Sequence, residues 1–259
     1  AVYRFHALVA ERWRAGRVFL AGDACHQTPP FMGQGMCAGI RDAANLAWRL
    51  ALVLQAGAQD ALLDSYQAER KPHVEALVGF AKKAGEVIGE LDLAAARQRD
   101  ALLRGQLERG EAETIRQRYI PNLAGGVIDV ASGPAAGTLF VQPRVGEEGD
   151  GELLDDVVAP RFLLATTSEA AQSWLSAASL DAWRRIDGAR AIISQDEMMA
   201  TRDDGIVRLR ERGRLFADWM ARHRAAAVVA RPDRYVFGVA YERDGLNRLI
   251  ERLARHVFG

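Results

Sequence analysis

The run Val18-Phe19-Leu20-Ala21, closed by Gly22-Asp23, constrains this chain more than any other stretch. Four apolar residues ended by a glycine turn suit a buried strand. A loop from Ala24 to Gln34 follows, punctuated by Pro29-Pro30 and Gly33. A helix is then expected over 35–55. Its apolar positions Met36, Ile40, Ala43, Leu46, Ala47, Leu50, Val53 and Leu54 recur at three and four, and Gly57 closes it. A strand that hands over to a helix through such a loop makes a place for a ligand. The Asp23 carboxylate at the strand end can accept hydrogen bonds from a row of sugar-like hydroxyls, strengthened by its charge. Gly33 and Gly35 let the backbone approach a flat ligand closely. The helix beginning at Gly35 directs free N–H groups and its positive dipole end into the same space. The combination suits a ring that becomes anionic along one edge during a redox cycle.

The fifteen residues Gly22-Asp23-Ala24-Cys25-His26-Gln27-Thr28-Pro29-Pro30-Phe31-Met32-Gly33-Gln34-Gly35-Met36 form an ordered pattern. It resembles the second FAD-binding motif of the class A flavoprotein monooxygenases, and Asp42-Ala43-Ala44-Asn45-Leu46-Ala47-Trp48 extends it. The likeness continues through Leu62 to Arg70 and resumes at Gly137 to Pro143 and at Arg231 to Val236. These later blocks resemble the branch that hydroxylates hydroxyphenylpropionates, whose C-terminal domain is thioredoxin-like. Only the stretch from Leu91 to Arg118 is nondescript.

The resemblance implies a role for each matching position. Asp23 would bind the ribityl chain of FAD. Pro30 would lie beside the flavin, near where the C4a-hydroperoxide forms. Gly33, Gln34, Gly35, Met36 and Cys37 would follow the pyrimidine edge, with the N–H groups of Gly35, Met36 and Cys37 facing it. Gln34 contacts either flavin or substrate. NADH or NADPH would reduce the flavin, and an oxygen atom of O2 would pass to a phenolic aromatic acid. Of two family elements, the Gly-x-Gly-x-x-Gly fingerprint for the ADP half of FAD does not occur in the sequence, and the Asp-Gly motif that such enzymes place in the middle of the FAD domain does not occur in residues 1–120. With an opening at Ala1 that reads as a strand already under way, this leads to the expectation of the C-terminal part of such an enzyme, inactive alone. The alternatives are a hydroxylase of another aromatic substrate, a phenol or polyketide, or a non-catalytic module that holds subunits of a homo-oligomer together.

Other features bound the reading. Asp60 is a plausible N-cap for a second helix, which Pro72 should kink or break. A charge-rich helical stretch over about 94–118 reads as a solvated face. The Gly- and Pro-rich segment 121–149 suggests a boundary, giving 1–120 as the end of an FAD-binding domain with helices and 121–259 as a thioredoxin-like α/β domain. In the latter, strands are expected at 161–166, 189–193, 226–230 and 235–240. Helices are expected after Ser168, at 215–223 and at 242–257. Trp174, Trp183 and Trp219 should fill its core. Arg231 to Arg234 reads as a turn with surface charge or a subunit contact, and His73 as a surface residue. His26, in a loop, orders its own backbone more readily than it serves as a catalytic base. The 34 basic and 34 acidic residues balance, which argues against nucleic-acid binding or a polybasic membrane anchor. No stretch approaches the roughly 18 apolar residues of a membrane span. Cys25 and Cys37 lack CxxC spacing and a metal-ligand set, so a reducing cytoplasm is the default and no metal site is expected. No cysteine follows Cys37, so a thioredoxin-like domain here cannot perform dithiol chemistry.

Overall fold

A computed structural model describes residues 4–111, 120–146, 149–196 and 204–259. The fold is mixed α/β and divides into two compact units. One comprises Ala1–Ala43 and Arg70–Pro121, the other Ala44–Glu69 and Asn122–Gly259. The second unit therefore takes in 44–69 as well as the residues beyond the boundary expected near 121. Residues 44–69 share that unit's apolar core through Trp48, Ala58 and Leu62 and carry the buried polar side chains Asn45, Arg49 and Glu69, described below.

In the first unit, β1 (Leu8–Val9) pairs antiparallel with β4 (His26–Gln27). Between them β2 (Arg14–Ala15) and β3 (Val18–Phe19) form a hairpin. Gly16, at φ +59°, supplies the positive backbone angle that a two-residue hairpin turn demands. The expected buried strand over 18–21 is shorter and more open than its composition suggests: Val18 is 65% exposed. Among the described residues β3 has only β2 as a neighbour, so its outer face stays in solvent. The first three residues of the expected opening strand lie outside the described residues.

The helix α1 (Gly35–Gln55) has the expected limits, but its buried stripe is not the apolar one. Met36, Ile40 and Leu54 are 76%, 60% and 74% exposed, whereas Ala38, Asp42, Asn45 and Arg49 are fully buried. Helix α2 (Asp64–Ile88) runs unbroken through Pro72. Pro72 and Ala68, whose carbonyl loses its partner, are both exposed, so water can satisfy the freed oxygen. Asp60 opens a 3-10 turn (Asp60–Leu63) rather than capping α2. Helix α3 (Leu93–Glu108) is capped by Asp92 and buries none of its residues, as a solvated helix should. Residues 112–118 of the longer helix expected there lie outside the described residues.

In the second unit, β5 (Arg144–Val145) and β6 (Glu152–Leu153) form a small hairpin leading to the short α4 (Leu154–Val157). Then come β7 (Leu163–Thr166), α5 (Glu169–Gln172), α6 (Ala177–Arg185), β8 (Ala189–Ser194), β9 (Ile206–Arg210), α7 (Leu215–His223), β10 (Ala227–Ala230), β11 (Val236–Ala240) and α8 (Arg243–Phe258). The five longer strands form one sheet in the order β11-β10-β7-β8-β9. β7, β8 and β9 are parallel, and β10 runs antiparallel to both β7 and β11. Four of these strands with the closing α8 are compatible with the expected thioredoxin-like layout; β9 and α6 were not anticipated. The central strands β7 and β10 are buried throughout, and alternate residues supply the two faces of the sheet. Leu164 and Val229 join Trp48, Phe162, Trp183 and the inward side of α8. Leu163, Ala165 and Val228 join Phe140, Phe216 and Trp219 on the other side. Trp174 packs partly buried against the first group.

Candidate functional site

The Gly22-Asp23-Ala24 segment folds as a 3-10 turn closed by Cys25 N–H on the Gly22 carbonyl at 2.9 Å. Gly22 is left-handed at φ +60°, and its Cα lies against Gly39 on the second turn of α1. A Cβ on Gly39 would sit 3.2 Å from the Gly22 Cα, so the two glycines let the turn and the helix meet backbone to backbone. The residue that follows Gly22, Asp23, is exposed.

A second 3-10 turn, Pro30–Met32, ends at Gly33 (φ 63°, ψ 26°), whose N–H donates to the Pro30 carbonyl at 3.0 Å. This left-handed residue reverses the chain so that α1 can begin at Gly35. The leading N–H groups of any helix have no intrahelical acceptor, and here they belong to Gly35, Met36 and Cys37. Pro30, Gly33 and Met36 are exposed, while Gln34, Gly35 and Cys37 are half-buried. The Gln34 Oε1 is buried without a hydrogen-bond partner, an acceptor suited to a ring N–H. Asp23 and Pro30 lie in separate turns joined by β4.

Beneath these turns is a buried network to which the motif reading assigned no role. The Asp42 carboxylate accepts from Gly22 N–H at 3.2 Å, lies 2.7 Å from His26 Nε2, and accepts from Arg70 Nε at 2.8 Å. All three side chains are buried. Burial alone would raise the Asp42 pKa, but the hydrogen bond from His26 and the charge and hydrogen bond of Arg70 outweigh it and hold it below the usual value. His26 therefore ties its loop to α1, closer to the expected ordering role than to catalysis. Cys25, His26 and Asp42 place Sγ, ring nitrogen and carboxylate within 4.8 Å of one another. The carboxylate already carries the Arg70 guanidinium, which makes this an ion-paired network. His73 is 3% exposed rather than at the surface. Burial, then the charges of Arg70 and Arg41, lower its pKa to about 3, so it stays neutral.

In the second unit, Arg231 is fully buried, which corrects its reading as surface charge. Its guanidinium donates to Glu69 at 2.9 and 2.8 Å and to Asp233 at 3.0 and 2.5 Å. Glu69 also meets Arg49 Nη2 at 2.6 Å and accepts from Asn45 at 2.8 Å and from Val127 N–H at 2.7 Å. Burial opposes ionisation of Glu69, but the charges of Arg231 and Arg49 prevail and lower its pKa to about 2. Burial lowers Arg49 to about 10 despite the adjacent Glu69. Gly126, at φ +87°, leaves the room: a Cβ there would lie 2.3 Å from the Glu69 side chain. The available signal was the spacing of Asp42, Asn45 and Arg49, three polar residues on one side of a helix.

Comparison with known proteins matches two stretches of the chain. A family model described as an FAD binding domain matches residues 1–81, and one described as an HcaD C-terminal domain matches residues 137–256. The chain is 36% identical over 257 residues to a probable NADH-specific resorcinol 4-hydroxylase of Rhodococcus jostii, covering 99% of this chain and 46% of that protein. It is 35% identical over 266 residues to a 3-(3-hydroxy-phenyl)propionate/3-hydroxycinnamic acid hydroxylase of Escherichia coli, covering 98% of this chain and 48% of that one. It thus spans about half the length of the curated relatives it matches. Among solved structures, the flavin-dependent monooxygenase PieE in complex with FAD and substrate shares the fold at a TM-score of 0.67 and 24% identity, over 96% of this chain and 48% of that one. BexE matches at a TM-score of 0.67 and 26% identity, over 94% of this chain and 45% of its own. No helix among the described residues is long and apolar enough to cross a membrane.

Proposed function

We propose that this chain belongs to the FAD-dependent aromatic monooxygenases, a reading supported by its relatives, and that it holds the ribityl and flavin portion of FAD in an enzyme that hydroxylates a phenolic ring. The observation that carries the reading is the exposed Asp23 turn packed through Gly22 against Gly39 on the second turn of α1. Asp23 accepts from ribityl hydroxyls. The N–H groups of Gly35, Met36 and Cys37 face the ring edge that gains negative charge, and the α1 dipole favours that charge. Gln34 offers its buried Oε1, and Pro30 and Gly33 shape the loop beside the ring. When bound, FAD supplies the activation of O2 that protein side chains cannot. NADH is the proposed reductant, since the Rhodococcus relative is named for it. The substrate is a phenolic small molecule of the kind named for the two relatives. Residues 121–259 are proposed to form a thioredoxin-like domain with a structural role.

The test supplies the full-length protein with FAD, NADH or NADPH, isotopically labelled O2, and resorcinol or 3-(3-hydroxyphenyl)propionate in turn. One labelled oxygen atom, as a new hydroxyl on the aromatic ring of the product, is expected from at least one of them. NADH consumption without any oxygenated product would overturn the assignment. In the same protein, Asp23→Ala should weaken FAD binding by about tenfold to a hundredfold, the worth of a hydrogen bond to a charged group. Unchanged affinity in a flavin titration removes Asp23 from the site.

A further inference from the structure

We infer that Asp42 is a positioning residue for the cofactor: it holds the Gly22–Asp23 turn, and through it the Asp23 carboxylate, in binding geometry against α1. The inference rests on the reading of Asp23 as a FAD contact. One Asp42 oxygen receives both Gly22 N–H, at 3.2 Å, and His26 Nε2, at 2.7 Å. These two residues bracket the turn, so a single atom pins both of its ends. The other oxygen is held by Arg70 Nε at 2.8 Å, which fixes the plane of the carboxylate. Asp23 lies between the pinned residues, and its own side chain is exposed. Its direction is therefore set by its neighbours. Gly22 is left-handed, and Gly39 permits the backbone approach that brings its N–H within reach of Asp42.

Stability alone is a poor reason for this arrangement. Taking a carboxylate, a guanidinium and an imidazole out of water costs more than their attraction returns, unless the geometry is good, and apolar packing serves stability as well or better. What a buried carboxylate adds is direction, since it fixes three donors relative to one another. The identity of residue 42 should thus be read out in cofactor affinity, and only while Asp23 is present to use the geometry.

A double-mutant cycle in the full-length protein tests this. FAD dissociation constants are measured on apoprotein for wild type, Asp23→Ala, Asp42→Asn and the double variant, with apoprotein melting recorded for each. Asp42→Asn should weaken FAD binding on the order of tenfold in the wild-type background, a hydrogen bond's worth, and by less than about twofold once Asp23 is gone. An equal factor in both backgrounds, or no effect in either, overturns the inference while leaving the Asp23 assignment intact. If Asp23→Ala alone changes nothing, that assignment fails and the inference falls with it. Should Asp42→Asn not fold, His26 gives a second route. His26→Gln retains an N–H donor for Asp42 and should preserve FAD affinity. His26→Leu should weaken it in the presence of Asp23 and have no effect in its absence. Equal losses for His26→Gln and His26→Leu refute the role of Asp42 as anchor.

Discussion

Glu69 is a carboxylate that is safe in the interior only because its partners are complete. Replacing it by Gln leaves Arg49 and Arg231 as buried positive charges with Asp233 as the remaining acid. Removing one partner of such a group costs about 3–5 kcal/mol, so Glu69→Gln should lower the urea midpoint by a corresponding amount. Trp48, with the Arg49 guanidinium 4.2 Å from its ring, is a fluorescent reporter beside the lesion. A midpoint within error of wild type would show that the cluster contributes nothing to stability. The pH dependence has a definite sign. The folded pKa of Glu69 lies near 2, below its ordinary 4.5, so its stabilisation is complete above 4.5 and is lost as pH falls through 2. His73 acts in a higher window. Its folded pKa is lowered from 6.5 to about 3, so between those values the unfolded chain takes up a proton that the folded chain refuses. Stability should fall as pH drops from 6.5 toward 3, and His73→Gln should flatten that part of the profile. A variant with an unchanged slope there would place the titration elsewhere. Neither His73 nor Arg231 was legible as buried from its surroundings in sequence. His73 stands beside an exposed proline, and Arg231 begins a Pro-Asp turn whose composition suggests solvent. Its partner Glu69 lies 162 positions away, beyond the reach of any local pattern.

The elements show where periodicity informs and where it misleads. The limits of α1 follow from its three-and-four spacing, yet the apolar stripe that defines the spacing is largely exposed, and a polar stripe of Asp42, Asn45 and Arg49 is buried. Hydrophobic pattern identifies the helix because both stripes share the same period. It cannot say which side is inward when ion pairs compensate the polar one. Four of the five strands of the main sheet were legible because each is short, apolar and bounded by turns, so that alternation can supply both faces with core residues. β9 was missed because Arg208 and Arg210 interrupt its apolar character. Arg208 is nonetheless 8% exposed, with Glu169 at 2.7 Å and Asp204 at 2.7 Å as partners. α6 was missed although Ser176 caps it in the usual way, its hydroxyl accepting from Ser179 N–H. Of the candidate site, the turn, the loop and the helix start were legible from the ordered motif, but the Asp42 network beneath them was not. Pro72 gives a prediction at this scale. It withholds an N–H from the Ala68 carbonyl within a continuous helix, and a proline inside a helix costs roughly 3 kcal/mol relative to alanine. Because the carbonyl is on an exposed turn, hydration recovers part of that. Pro72→Ala should therefore raise stability by about 1–3 kcal/mol, visible as a higher melting temperature. A lower melting temperature would mean that the proline fixes a bend the fold requires.

For the molecule as a whole, the decisive question is how much of a cofactor these 259 residues can grip unaided. The groups proposed to hold FAD would reach only its ribityl chain and one edge of its ring. Asp23, Pro30, Gly33 and Met36 are exposed, so each hydrogen bond they offer is made in competition with water and returns little net free energy. Pyrophosphate is ordinarily held by a glycine-rich turn at a helix N-terminus, and the sequence contains no Gly-x-Gly-x-x-Gly. Ordering a ligand as long as FAD through one end alone leaves the translational and conformational cost to be met by a few solvent-competed contacts. The chain expressed as these 259 residues should therefore fold without retaining flavin and show no hydroxylase activity, whereas the full-length protein should bind FAD stoichiometrically. The measurement is a visible spectrum after incubation with excess FAD and removal of free ligand, alongside circular dichroism to establish that the chain is folded. A stoichiometric flavin band on the folded chain would refute the prediction. It would mean that the Asp23 turn and the start of α1, alone or through self-association, form a complete cofactor site.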